Sequence, residues 1–260
     1  HISDIQKIMA GHSKFKNIMH RKGAQDKKRA KIFGRLIKEL TVAARSSTDP
    51  DSNPRLRTAL AAARAANMPK DNIERVLKRA EGGEGEAYDE IRYEGYGPGG
   101  VAIIVETLTD NRNRTVSEVR HAFTKMNGNL GESGSVAWMF EQKGVLEVAK
   151  ENIPEDDLMI AVMDAGAEDI QDGDEVHEVV SPVADFEAVK KALEDCEIEF
   201  GQAALAWMPK NENLLEVQED QADKIIRLLE ALEDLDDVQK VYSNFDLHED
   251  ALKQLIAQES

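Results

Sequence analysis

The sequence predicts an α+β protein with an N-terminal three-helix domain followed by two ferredoxin-like α/β domains, one inserted in the other. Three observations predict it. Apolar residues recur at helical spacing from residue 26 to about 80. After residue 87 the pattern changes to β-branched runs alternating with amphipathic stretches. Within that second part, residues 144 to about 205 alone spell βαββαβ, the split-βαβ arrangement, and the flanks spell βαβ on either side. The division is therefore residues 10–80 for a basic helical domain, 88–141 with 206–247 for a discontinuous α/β domain, and 142–205 for the inserted one.

Residues 1–9 end in Met9 without a pattern and take no part in the fold reading. From Asp26 to about Arg45, Phe33, Leu36, Ile37, Leu40 and Ala44 mark one buried helix face. Lys27, Lys28, Lys31, Arg35, Lys38 and Arg45 fall on the opposite arc at about 100° per residue. A second helix starts near Pro54 with Leu56, Ala59, Leu60 and Ala63 inward, and Asn67-Met68-Pro69 breaks it. A third carries Ile73, Val76, Leu77 and Ala80, and Gly82-Gly83 stops it.

Beyond a linker at residues 81–87, Val101–Thr109 reads as a strand, Thr115–Asn127 as a helix and Ser135–Glu141 as a strand. Val145–Ala149 (strand), Glu155–Ala165 (helix), Glu168–Gln171 and Glu175–Ser181 (strands), Asp185–Asp195 (helix) and Ile198–Trp207 (strand) follow. Asn213–Val217 (strand), Asp220–Asp234 (helix) and Val238–Phe245 (strand) precede a terminal helix from His248.

Composition narrows the function. Of 260 residues 41% are hydrophobic, enough for packed cores, and 13 are aromatic, so stacking surfaces are scarce. One cysteine, Cys196, excludes an intramolecular disulfide framework and a Cys-based zinc cluster. No uncharged apolar stretch approaches the ~18 residues of a membrane span. A soluble, cytoplasmic protein without a membrane partner is expected. The net charge of −17 is segregated: residues 1–80 hold 19 Lys/Arg against 7 Asp/Glu, and the other 180 hold 14 against 43. Such asymmetry points to a nucleic-acid partner, or to a basic unit that docks on its own acidic half.

The chain carries no sequence motif for catalysis or cofactor binding in the context that such a site needs. Gly95-Tyr-Gly97-Pro-Gly99-Gly100 matches G-x-G-x-x-G, but a strand follows where a dinucleotide site needs a helix N-terminus. It reads as a turn between antiparallel strands whose glycines allow close backbone approach to a ligand such as RNA. No Walker A, H-E-x-x-H or G-x-S-x-G occurs, and Ile170 spoils the nearest calcium loop. His121 and His177 stand alone and read as structural. The acids Glu155-Asp156-Asp157, Glu233-Asp234, Asp236 and Asp237 read as caps and solvated faces. No enzyme, cofactor, metal or small-molecule substrate is expected.

The positive signal is a basic stripe, ten Lys/Arg between Lys14 and Lys38 against the single acid Asp26. Neutralising several phosphates releases counterions and makes binding steeply salt-dependent. Phe15 and Phe33 are the aromatics of this unit, which argues against base stacking and favours the phosphates of duplex nucleic acid. A helix-turn-helix reading, with Asn72, Arg75 and Arg79 outward, is the weaker one because basic density peaks earlier.

Ala10-Gly-His-Ser-Lys-Phe15, His20-Arg-Lys-Gly-Ala-Gln-Asp26, Lys28-Arg-Ala-Lys-Ile-Phe33, Asn67-Met-Pro-Lys-Asp-Asn72, Tyr93-Glu-Gly-Tyr-Gly-Pro-Gly-Gly100 and Thr109-Asp-Asn-Arg-Asn-Arg-Thr115 resemble the YebC family. The resemblance runs from Ala10 to about Phe245, with Phe15 where the family usually has Trp. It implies a helical domain and two α/β domains. Its bacterial members are described as probable transcriptional regulators that bind DNA, some also as ribosome-associated factors that relieve stalling. Mitochondrial relatives are translational activators.

The expected function is thus a non-enzymatic regulator of gene expression that binds DNA or ribosomal RNA, with the ribosome as a further partner. A protein-interaction adaptor is the rival class. Lys14, Lys16, His20, Arg21, Lys22, Lys27, Lys28, Lys31, Arg35 and Lys38 are the expected phosphate contacts. Gly97, Gly99, Gly100, Arg112 and Arg114 are an expected second contact. Replacing Lys28, Lys31 and Arg35 by Glu is expected to abolish binding with stability nearly unchanged.

Overall fold

A computed structural model describes residues 25–84, 87–172, 175–217 and 219–247. The helical part comprises α1 (Gln25–Ala44), α2 (Pro54–Ala65) and α3 (Lys70–Glu81). There follow β1 (Asp89–Tyr96), β2 (Ala102–Thr109), α4 (Arg112–Lys125), β3 (Asn129–Leu130), β4 (Phe140–Ala149) and α5 (Glu155–Met163). The remaining elements are β5 (Asp169–Asp172), β6 (Val176–Pro182), α6 (Phe186–Asp195), β7 (Ala203–Pro209), β8 (Leu215–Val217), α7 (Glu219–Glu233), β9 (Val238–Ser243) and β10 (Phe245–Leu247). Among the described residues the chain forms two compact units, 25–138 with 223–243, and 139–222 with 244–247. No helix among them is long and apolar enough to cross a membrane.

The three helices form where the periodicity predicts them. Leu40, Ala43, Ala44, Leu56, Ala59, Leu60, Ala63 and Met68 make their buried core, with Phe33, Leu36, Ile37, Ile73 and Leu77 packed around it. Asn53 starts α2 by accepting the Leu56 amide at 3.0 Å, and its own amide donates to the Ala43 and Ser47 carbonyls at 2.7 Å. Arg55 then joins the bundle to the sheet, reaching Glu39 on α1 at 2.8 Å and Glu90 on β1 at 2.9 Å.

The first sheet is antiparallel in the order β3-β1-β2-β9. Its strand β1, rich in Asp, Glu, Arg and Gly, has no β-branched run, so the sequence pattern did not mark it as a strand. It stands between β3 and β2, and the expected strand at residues 213–217 has no place in this sheet. That strand, β8, instead pairs in parallel with β10 in a separate two-stranded sheet. The expected Val238–Phe245 strand accordingly splits at Asn244, whose carbonyl accepts the Leu215 amide at 2.8 Å and whose side chain donates to the Asn213 carbonyl at 2.7 Å.

The second four-stranded sheet has the order β5-β6-β4-β7, antiparallel throughout, which is the predicted split-βαβ topology. The two strands expected at residues 135–141 and 145–149 are one, β4, entered through a 3-10 turn at Ala137–Met139. Gly144 falls between the two expected segments. It lies inside the strand because a Cβ there would come 2.3 Å from the Phe186 ring. The expected Ile198–Trp207 strand starts later, at Ala203. The terminal helix from His248 lies outside the described residues.

Gly95 is a second close approach. A Cβ on it would meet the Asn129 carbonyl oxygen at 2.6 Å and the Phe123 ring at 2.9 Å. Because backbone cannot swing aside as a side chain can, Gly95→Ala is expected to cost about 1–3 kcal/mol, read as a lower melting temperature by circular dichroism. An unchanged melting temperature would mean that β1 and β3 separate freely.

Candidate nucleic-acid interface

The stripe of cations divides into two groups. Lys14, Lys16, His20, Arg21 and Lys22 lie outside the described residues, as do the side chains of Lys27 and Lys28 on the first turns of α1. Lys31, Arg35 and Lys38 are described, and they recur at four- and three-residue steps on one face of α1. That face is turned to the acidic turn following α7. Lys31 forms an ion pair with Asp234, and Arg35 Nη2 donates to the Glu233 carbonyl oxygen. Lys38 Nζ donates to Asp237 Oδ1 at 2.8 Å, to the Asp236 carbonyl at 2.9 Å and to the Leu108 carbonyl at 3.4 Å. Burial lowers the Arg35 pKa against the opposing pull of Glu233 and Asp234. These three side chains lock the helical bundle to the sheet of the same unit. Substituting Lys31 and Arg35 by Glu therefore removes packing contacts, and the expectation of unchanged stability does not stand.

Asp237 is the centre of this contact, with a side chain only 2% exposed. Its Oδ2 accepts from Arg114 Nη2 at 2.7 Å, Thr115 Oγ1 at 2.7 Å and Thr109 Oγ1 at 3.3 Å. Burial by itself would raise the carboxyl pKa. The hydrogen bonds from Lys38, Arg114 and Thr115 outweigh it and hold the group at about 2. The motif at residues 109–115 is built for this: Asn111 Oδ1 caps α4 by accepting the Arg114 amide at 3.0 Å, so that Arg114 and Thr115 leave the first turn together. Sequence reading took Asp237 for a solvated acid. Its position just before a strand whose partner β2 is buried was the available signal.

The expected second contact is also resolved. Pro98–Gly100 forms the turn joining β1 to β2, with Gly99 and Gly100 at φ of 72° and 81°, a left-handed conformation that suits glycine. Gly97 donates to the Val101 carbonyl at 2.8 Å, and a Cβ on it would press on Ile103 and Leu228 at 3.1 Å. A strand, not a helix, leaves this turn, as the sequence indicates. Arg112 is exposed and pairs with Asp89 at 2.7 Å, and Arg114 pairs with Asp110 as well as Asp237. The structure thus uses both arginines internally.

Sequence reading missed Glu94. Its buried carboxylate accepts the amides of Gly134 at 3.0 Å, Val136 at 3.0 Å and Ala137 at 2.8 Å, and pairs with Arg92 at 3.1 Å. Burial pushes its pKa up, but the amide donors prevail and keep it below the usual carboxylate range. Glu94 thereby shapes the loop that ends at Trp138, which is 60% exposed.

Other cations remain in solvent. Arg64, at the end of α2, and Arg75, Lys78 and Arg79, on α3, are exposed and make no ion pair among the described residues. Those in last turns also complement helix C-termini, a role that leaves their charged heads free for phosphate. Among the described residues no group of three or more His, Cys, Asp or Glu is placed to hold a metal ion.

Two sequence families match the chain, the "TACO1/YebC protein N-terminal domain" over residues 13–83 and the "TACO1/YebC second and third domain" over residues 88–245. A protein of Desulfosudis oleivorans named "Probable transcriptional regulatory protein" is 52% identical over 243 residues, 93% of this chain and 98% of its own. The crystal structure of a conserved hypothetical protein from Aquifex aeolicus superposes with a TM-score of 0.80 at 47% identity, over 85% of this chain and 92% of that one.

Proposed function

We propose that this chain, which belongs to the TACO1/YebC family, is a non-enzymatic regulator of gene expression that binds nucleic acid through its N-terminal basic unit. One observation carries the reading: internal docking does not consume the positive charge. It accounts for Lys31, Arg35 and Lys38, and leaves Arg64, Arg75, Lys78 and Arg79 exposed on α2 and α3. These four, with Lys14, Lys16, His20, Arg21, Lys22, Lys27 and Lys28, are the proposed phosphate contacts. The acidic remainder of the chain repels phosphate and so restricts binding to the basic unit.

The name of the Desulfosudis relative favours DNA as the target. Ribosomal RNA is the second reading, favoured by the scarcity of aromatic residues and by cations suited to phosphates rather than base edges. The test is sedimentation of a lysate at moderate and at high salt, with the tagged chain followed across free, subunit, monosome and polysome fractions. Co-migration with ribosomes that dissolves at high salt assigns ribosomal RNA. Absence from every ribosomal fraction, with retention on duplex DNA, assigns transcription. Binding to neither, at near-physiological salt, overturns the proposal in favour of an adaptor.

A further inference from the structure

We infer that the outer face of α5 is a docking surface for a cationic amphipathic helix of a protein partner. α5 carries six consecutive apolar residues, Leu158-Met-Ile-Ala-Val-Met163. A helix that is apolar all round is ordinarily covered all round. Leu158 and Val162 are covered, in a core with Leu146, Val148, Phe186 and Val189. Met159, Ile160 and Met163 are not: they are 38%, 75% and 60% exposed. Met163 lies three and four residues beyond the other two, so the three adjoin on one face. An isolated exposed apolar residue is ordinary, whereas an adjoining set marks a contact surface. Methionine suits such a surface because its unbranched, polarisable side chain adapts to the residue that lands on it.

The rim decides the occupant. Glu155, Asp156 and Asp157 fill the first turn of α5, Asp164 is its C-cap, and its last turn has no basic residue. On the neighbouring α6, Lys190 is paired with Glu187 and Lys191 with Asp195. Residues 142–205 hold 4 Lys and no Arg against 18 Asp and Glu, a net of −14. A second copy seated on this face would bring two such rims together across a two-fold axis. A nucleic acid would meet repulsion of the same sign. A helix with Leu, Ile or Phe along one face and Lys or Arg on either side satisfies both the apolar centre and the acidic rim. The inference rests on α5 and its surroundings, and it stands or falls separately from nucleic-acid binding.

The probe is a fluorescent eighteen-residue Leu/Lys peptide with its leucines on one helical face, titrated with the full chain and read by anisotropy. A peptide of identical composition with scrambled order is the control. The aligned peptide is expected to bind, and Ile160→Ser with Met163→Ser to weaken it more than tenfold. Asp156→Asn with Asp157→Asn should weaken it severalfold at low salt only. Equal binding of aligned and scrambled peptides, or no effect of the Ser substitutions, overturns the inference. So does a dimer in sedimentation velocity that those substitutions dissolve, which would give the face to a second copy. Binding that appears only after residues 1–24 are removed would give it to the chain's own basic segment, and equally overturns it.

Discussion

Asp237→Ala is expected to cost about 3 kcal/mol and to lower the melting temperature by roughly 6–12 °C. The substitution removes the carboxylate on which Lys38, Arg114 and Thr115 converge, and strands a lysine whose side chain is only 16% exposed. The same change alters the pH dependence. The folded-state pKa of Asp237 lies near 2, below that of an unfolded aspartate. A depressed carboxyl contributes its full stability above the unfolded value and loses it as pH falls through the folded one. The gap between parent and variant should therefore be widest above pH ~4 and shrink by about 2 kcal/mol towards pH 2. Melting curves of both proteins between pH 2 and 6 read this directly. A gap that stays constant over that range would show that Asp237 titrates normally and that the hub contributes nothing through charge.

Replacing Lys14, Lys16, Arg21 and Lys22 by Ala should weaken duplex binding at least a hundredfold at ~0.1 M salt and reduce the slope of log K against log salt by about 3–4. The reduction follows from four fewer phosphates neutralised, and it holds for any duplex sequence because phosphate contacts carry no sequence information. Lys31→Glu with Arg35→Glu should behave differently, with a lowered melting temperature, since those side chains grip Asp234 and the Glu233 carbonyl. Filter binding across a salt series, beside a thermal melt of each variant, separates the two effects. An unchanged salt slope in the four-alanine variant would move the phosphate contacts to Arg64, Arg75, Lys78 and Arg79.

Much of the architecture could be read from local pattern. The three helices appeared because their apolar residues repeat at helical spacing, and Asn53-Pro54 and Gly82 punctuate them. The βαββαβ order was legible because Val145 and Val148 mark β4, Val176, Val179 and Val180 mark β6, and two amphipathic stretches lie between the strands. β1 was not legible: its place in the sheet depends on pairing with β2, residue Asp89 against Thr109, and its own composition is polar. The continuity of β4 through Gly144, between the two segments expected as separate strands, was not legible either. A glycine inside a strand resembles a break until the ring that fills the vacant space, Phe186, is known.

By itself the sequence determined the helical and α/β parts, the segregation of positive charge into the first 80 residues, and membership of the family, because these depend on spacing and composition. The tertiary structure decided which charges are available. Lys31 and Asp234 are 203 residues apart, and Lys38 and Asp237 are 199 apart. Whether a lysine faces phosphate or a buried carboxylate is set by what folding brings within 3 Å of it, and desolvation acts only once the chain has closed around the pair. Periodicity places a cation on a helix face; it carries no information about what covers that face.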